Sequence, residues 1–201
     1  MLGLNKAYYQ IDRPLRDKVL PDVILEGEKL LILNALDNIK HKAIITTIYS
    51  AGLRRSELIN LRKTDIDFDK MLIFVRGGKG AKDRITVLSE ATASIMKIYL
   101  KQYKPNYWMF EGPNRTQDSP SSIRIILNKA VAKAGIAKKV TPHMLRHSFA
   151  THLLEQGVDI RYIQTLLGHE SSKATEIYTH VSKKSLAKIR SHLDRILEDN
   201  Q

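Results

Sequence analysis

Met71-Leu72-Ile73-Phe74-Val75-Arg76-Gly77-Gly78-Lys79-Gly80-Ala81-Lys82-Asp83-Arg84-Ile85-Thr86-Val87-Leu88 decides the fold class of this chain. Residues 71–75 are an unbroken apolar run and 84–88 alternate, with a glycine-rich segment between them. Two such runs joined by a glycine-rich tip make a β-hairpin. A short strand at 65–68 completes a three-stranded antiparallel sheet. Outward from the hairpin the chain reads as helix. Upstream, residues 28–36 and 43–51 carry apolar side chains at helical spacing. Gly52 ends the second of these as a C-terminal glycine does, and 56–61 make a short third helix. Downstream, helices are expected at 89–103, 119–134, 142–156, 159–167, about 172–178 and 185–198. Thr141-Pro142 opens one of them, because proline fits a first helical turn. Gly157 closes it and Asp159 caps the next. The expected fold class is mainly α with a small antiparallel three-stranded β-sheet.

Composition limits the partner. Lys and Arg number 33 against 21 Asp and Glu, a formal net charge of +12. A surplus of that size points to a polyanion, most often nucleic acid; the plainer reading is a solvated basic surface. There are no cysteines, which excludes disulfides, thiolate metal sites and cysteine nucleophiles. That suits a reducing cytoplasm, the expected location. No apolar run approaches the roughly 20 residues of a membrane span, and no secretory signal opens the chain. No membrane partner is expected.

Five short segments hold the residue types that chemistry on a phosphodiester needs. Gly52-Leu53-Arg54-Arg55-Ser56-Glu57 places Arg54 just past a helix end, where a guanidinium can grip two phosphate oxygens. Arg55 grips likewise or faces solvent, and Glu57 orients an arginine or makes an ordinary helix-surface pair. Gly78-Lys79-Gly80 sets a lysine on a flexible tip, either as a solvated turn residue or as a proton donor in a DNA groove. Lys82 competes for that role. In His143-Met144-Leu145-Arg146, the histidine and arginine share a helix face. His147, four residues from His143, would permit a two-histidine metal site, but the zinc-protease glutamate and a third ligand are missing, so no metal is expected. His147, His152 and His180 read as packing or surface residues. Leu167-Gly168-His169 stands where a helix stops, and Tyr178 follows. A phenol with a pKa near 10 is a poor nucleophile without adjacent cations, which the other segments supply.

In order and spacing these segments resemble the tyrosine recombinases, the phage-integrase superfamily. The resemblance runs from about Leu20 to the C-terminus and is densest over His143 to Leu154 and Ile163 to His169, where it is similar to bacterial integrases and Xer-type recombinases. It implies a tyrosine-recombinase catalytic domain over 21–182, preceded by a linker or arm at 1–20. A C-terminal helix at 183–201 would dock on a neighbouring protomer or on its own domain. It implies that Arg54 and Arg146 clamp the scissile phosphate and that His143 and His169 hydrogen-bond it. Glu57 would support the clamp, Lys79 would protonate the leaving 5′-oxygen, and Tyr178 would be the nucleophile forming a 3′-phosphotyrosyl bond. Arg55, Lys82 and Arg84 would contact DNA. Double-stranded DNA is the implied partner and self-association into a tetramer on DNA the implied assembly. No cofactor or metal is implied.

Family members usually carry an N-terminal core-binding domain of roughly a hundred residues. Only about twenty residues precede the matching region here, so that domain is expected to be absent. Two other readings stand beside the recombinase. One is a DNA-binding integrase fragment without catalysis, against which the nucleophile and its cations argue. The other is a type IB topoisomerase, which the short length and the His143–Arg146 segment disfavour.

Overall fold

A computed structural model describes residues 23–77 and 83–168. Two helices come first, α1 (Glu26–Asn34) and α2 (Ile39–Ala51). Asn38 starts α2 by accepting the amides of Lys40 and His41 on its Oδ1, at 2.8 and 3.1 Å, which satisfies donors a helix start leaves open. Gly52 ends α2 in the left-handed conformation, and the short α3 (Arg55–Ile59) follows at once. A three-residue 3₁₀ turn at Lys63–Asp65 leads into the sheet: β1 (Ile66–Asp67), β2 (Leu72–Val75) and β3 (Arg84–Val87). The strands lie in order β1-β2-β3, all antiparallel, with Leu72 opposite Val87 and Val75 opposite Arg84.

Four further α-helices follow, α4 (Glu90–Tyr103), α5 (Pro120–Lys133), α6 (Pro142–Glu155) and α7 (Ile160–Leu167), with a short 3₁₀ turn at Pro113–Arg115 between α4 and α5. Ser89, Ser119, Thr141 and Asp159 cap them by accepting a main-chain amide within the first turn. Ala43, Ile44, Ile45, Ile48 and Ala51 of α2 are fully buried, and α4 and α6 pack against this central helix. Thr86 of β3 donates its hydroxyl to the carbonyl of Ala51 at 2.9 Å, binding the sheet to the end of α2. A smaller apolar cluster of Phe149, Ala150, Ile163 and Leu167 joins α6 to α7, and α7 also packs on β3.

The mainly helical fold with one three-stranded antiparallel sheet matches the expectation. The boundaries differ in informative ways. α2 starts four residues before its expected first residue, because Ile39 to Lys42 are held by the Asn38 cap while three of the four are polar. α1 lies two residues earlier than 28–36; Leu36 is buried beyond its end. β1 is only two residues long, since a β-bulge-free pairing with β2 ends at Asp67, whose Oδ1 accepts the amides of Asp69 and Lys70 and turns the chain. The arm at 1–20, the hairpin tip with Lys79 and Lys82, and the expected helices at 172–178 and 185–198 with His169, Tyr178 and His180 lie outside the described residues. Among the described residues no helix is long and apolar enough to cross a membrane.

Candidate active site

The site is built on the turn after α2. At Gly52 the chain has φ +61°, and a Cβ there would lie 2.4 Å from Cδ1 of Phe149. Only glycine lets α6 come so close. Arg146, one turn before Phe149 on α6, is thereby carried beneath the turn, where it is 2% exposed. Its Nη1 donates to the Gly52 carbonyl and its Nη2 to the Leu167 carbonyl, both at 2.5 Å. These oxygens belong to the C-terminal ends of α2 and α7, which carry partial negative charge and favour a cation. Arg54 approaches from the other side of the turn. Its Nη2 reaches the Gly168 carbonyl at 3.4 Å, and its side chain is 25% exposed.

Glu57 ties the arginines together. Its Oε1 accepts Nη1 of Arg54 at 2.7 Å. Its Oε2 accepts the Arg54 amide at 2.7 Å and Nη2 of Arg84 at 3.0 Å, with Nη1 of Arg146 at 3.5 Å. The amide bond caps the short α3, so one carboxylate starts a helix and sets three guanidiniums. Burial pushes this carboxyl up, but Arg84, the Arg54 amide, Arg146 and the Arg54 side chain overcome it and hold it below the usual glutamate range. Glu57 is therefore ionised at neutral pH, and three guanidiniums against one carboxylate leave a surplus of two positive charges.

His143 sits at the first turn of α6, exposed at the rim, with its ring edge-to-face on His147 at 4.1 Å. Partial burial, then the charges of Arg146 and Arg54, lower its pKa from the ordinary 6.5, which favours the neutral imidazole at pH 7. Arg54, His143 and Arg146 line one cleft of about 690 Å³. Exposed Arg55 lines it too and opens toward a second hollow beside α3. Arg84 departs from its expected place on the DNA surface. Its side chain is 7% exposed and spent on Glu57 and on the Leu166 carbonyl, the latter at 2.8 Å. As the first residue of β3 it points to the inner face of the sheet, which its neighbours in sequence did not reveal.

Three cleft residues escaped the sequence reading: Arg124 and Asn128 on α5, and Lys139 before α6. All are exposed. Arg124 and Asn128 are four apart on an exposed face of α5 that flanks buried Ile123 and Leu127, a pattern visible in sequence without showing which cleft it faces. Lys138 and Lys139 look alike in sequence but diverge: Lys138 turns inward to Glu28 and the Val23 carbonyl. His152, expected to be structural, accepts or donates a hydrogen bond with the Tyr49 hydroxyl at 2.8 Å. Among the described residues no three His, Asp or Glu side chains group as metal ligands.

Comparison with known proteins places the chain in a family. A model of the phage integrase family matches residues 23–185. This chain belongs to the phage integrase family. It is similar to tyrosine recombinase XerA of Pyrococcus horikoshii, with 43% identity over 92% of this chain and 65% of that protein. Its likeness to XerA of Pyrococcus furiosus is also 43%, covering 66% of the relative. The chain thus spans slightly less than two thirds of these relatives. The crystal structure of XerA recombinase superposes with a TM-score of 0.78 at 37% identity, over 85% of this chain and 64% of that one. XerH recombinase bound to a palindromic difH substrate gives 0.75 at 25% identity, over 85% and 52%.

Proposed function

We propose that this chain is the catalytic domain of a site-specific DNA recombinase that cuts and rejoins duplex DNA through a 3′-phosphotyrosyl intermediate. The observation that carries the reading is the convergence of Arg54, His143 and Arg146 on one cleft above Glu57. A phosphodiester brings one negative charge, and its pentacoordinate transition state carries two. The surplus of two positive charges around Glu57 therefore suits the transition state better than the ground state, which is what accelerates a reaction. Arg54 and Arg146 grip the non-bridging oxygens. His143 and His169 hydrogen-bond the phosphate, and neutral His143 also helps to take the phenolic proton of Tyr178. Tyr178 attacks phosphorus, the P–O5′ bond breaks, and Lys79 gives the departing oxygen its proton. The ester energy is kept for rejoining. Arg55 and Lys82 contact neighbouring phosphates, and assembly as a tetramer on DNA brings two duplexes together.

Covalent trapping tests this. The protein is mixed with supercoiled DNA carrying the sequence that flanks its gene, and quenched with detergent. A protein–DNA adduct is expected from wild type and none from Tyr178→Phe. An adduct of equal yield from both would remove Tyr178 from the role of nucleophile. Tight binding by both without any adduct would favour a domain that only occupies DNA.

A further inference from the structure

We infer that Arg84 is a positioning residue that locks the root of the hairpin carrying Lys79 to the phosphate clamp. The inference rests on the reading of Lys79 as the acid, and it concerns what holds that acid in register with the two clamping arginines.

The hairpin has two described roots, and each is pinned by an arginine on a buried carboxylate. On the β2 side, Nε of Arg76 donates to Oδ1 of Asp65 at 2.7 Å, and Asp65 is 1% exposed. On the β3 side, Nη2 of Arg84 donates to Oε2 of Glu57 at 3.0 Å, and Glu57 is 6% exposed. Between them the Gly77 amide donates to Oδ1 of Asp83 at 2.8 Å and closes the neck of the tip. The two pins differ in what else their carboxylates hold. Asp65 binds the Arg62 amide, at 3.0 Å, on the sheet side of the molecule. Glu57 binds both Arg54 and Arg146. Arg84 is thus the described hairpin residue that shares a partner with the clamp.

Its placement leaves little freedom. Nε is committed to the Leu166 carbonyl at 2.8 Å while Nη2 is committed to Glu57, so the planar fork is fixed in two directions. The stem lies flush on the end of α7, where a Cβ at Gly168 would be 2.7 Å from Cδ of Arg84. Nη1 is buried and has no hydrogen-bond partner among the described residues. A buried cation with an unbonded donor is a poor device for stability alone, and an apolar side chain of like size does that better. What an apolar side chain lacks is the tie between β3, the end of α7 and Glu57.

The experiment uses nicked duplexes built around the cleavage position mapped by trapping, with either oxygen or sulfur bridging phosphorus to the 5′-carbon. An alkoxide leaving group takes a proton from Lys79, whereas a thiolate leaves without one. Wild type, Arg84→Met, Arg84→Lys, Lys79→Ala and the double variant Lys79→Ala/Arg84→Met are compared by single-turnover cleavage, with circular dichroism and melting curves alongside. Arg84→Met is expected to slow the oxygen substrate about 10²-fold, the scale of a lost general acid, and to cleave the sulfur substrate nearly as fast as wild type. The double variant is expected to be no slower than Lys79→Ala on oxygen, since both changes remove one function. Arg84→Lys keeps the charge and the fold but cannot make both bonds, so it shows the same oxygen-selective loss. Equal slowing of both substrates by Arg84→Lys or Arg84→Met would overturn the inference and place Arg84 in the clamp, and unchanged rates on both would overturn it outright. If wild type cleaves neither duplex, it is the recombinase reading that fails.

Discussion

Glu57 has more to do with the site than any arginine it holds. Removing one guanidinium takes away a contact, but removing the carboxylate leaves three buried or half-buried cations facing one another. Glu57→Gln keeps the shape and discards the charge, and breaking buried pairs in this way costs about 3 kcal/mol. Urea unfolding at pH 7 measures it. The pH dependence has a definite sign. Because the folded carboxyl lies below its unfolded value, its stabilisation is complete above pH ~4.3 and drains away as pH falls through the lower folded value. The glutamine variant is expected to lack that part of the acid-side slope. A wild-type and variant pair with parallel stability curves between pH 5 and pH 3, in units set by these ordinary values, would contradict the charge accounting.

At the level of elements, the turn between α2 and α3 governs how near α6 can approach. Gly52→Ala combines a strained left-handed φ with a Cβ set against the Phe149 ring, and overpacking with backbone strain costs about 2 kcal/mol or more. A fall in urea midpoint is expected, together with weaker DNA cleavage as Arg146 is pushed from the Gly52 carbonyl. The element pattern itself was largely open to reading from sequence. Glycine at 52 and Thr141-Pro142 mark real ends, and the apolar runs on either side of the hairpin tip are real strands. The early start of α2 was written in Asn38, a cap whose meaning the polar residues after it obscured. The role of Arg84 was not legible. Its alternating neighbours Ile85 and Val87 are exposed while Thr86 is buried, so strand periodicity alone leaves open which polar side chain turns inward. Its partner lies 27 residues away in sequence, and Arg146 stands 89 from the same glutamate. Such meetings depend on tertiary packing, whereas His143 and Arg146 could be paired by helical spacing alone.

Over the whole molecule, a net charge of +12 matters through where it is spent. Some of the basic residues are balanced inside by Glu57 and Asp65, which that sum already counts. Others, the exposed Arg55, Lys139 and Arg124, line the same cleft as the clamp. DNA binding is expected to weaken steeply with salt, and Arg124→Ala and Lys139→Ala are each expected to lower the slope of log K against log salt by about 0.9, one phosphate contact apiece. Fluorescence anisotropy over a salt series gives the slopes. Unchanged slopes in both variants would remove these residues from the DNA path.

Arg146 is held by carbonyls 94 residues upstream and 21 residues downstream of it. A nascent chain that has not yet delivered Leu167 from the ribosome has no complete seat for that guanidinium. Neither has a chain in which α7 has peeled away. The seat of this buried cation is thus complete only in a molecule whose two distant carbonyls have both come into place.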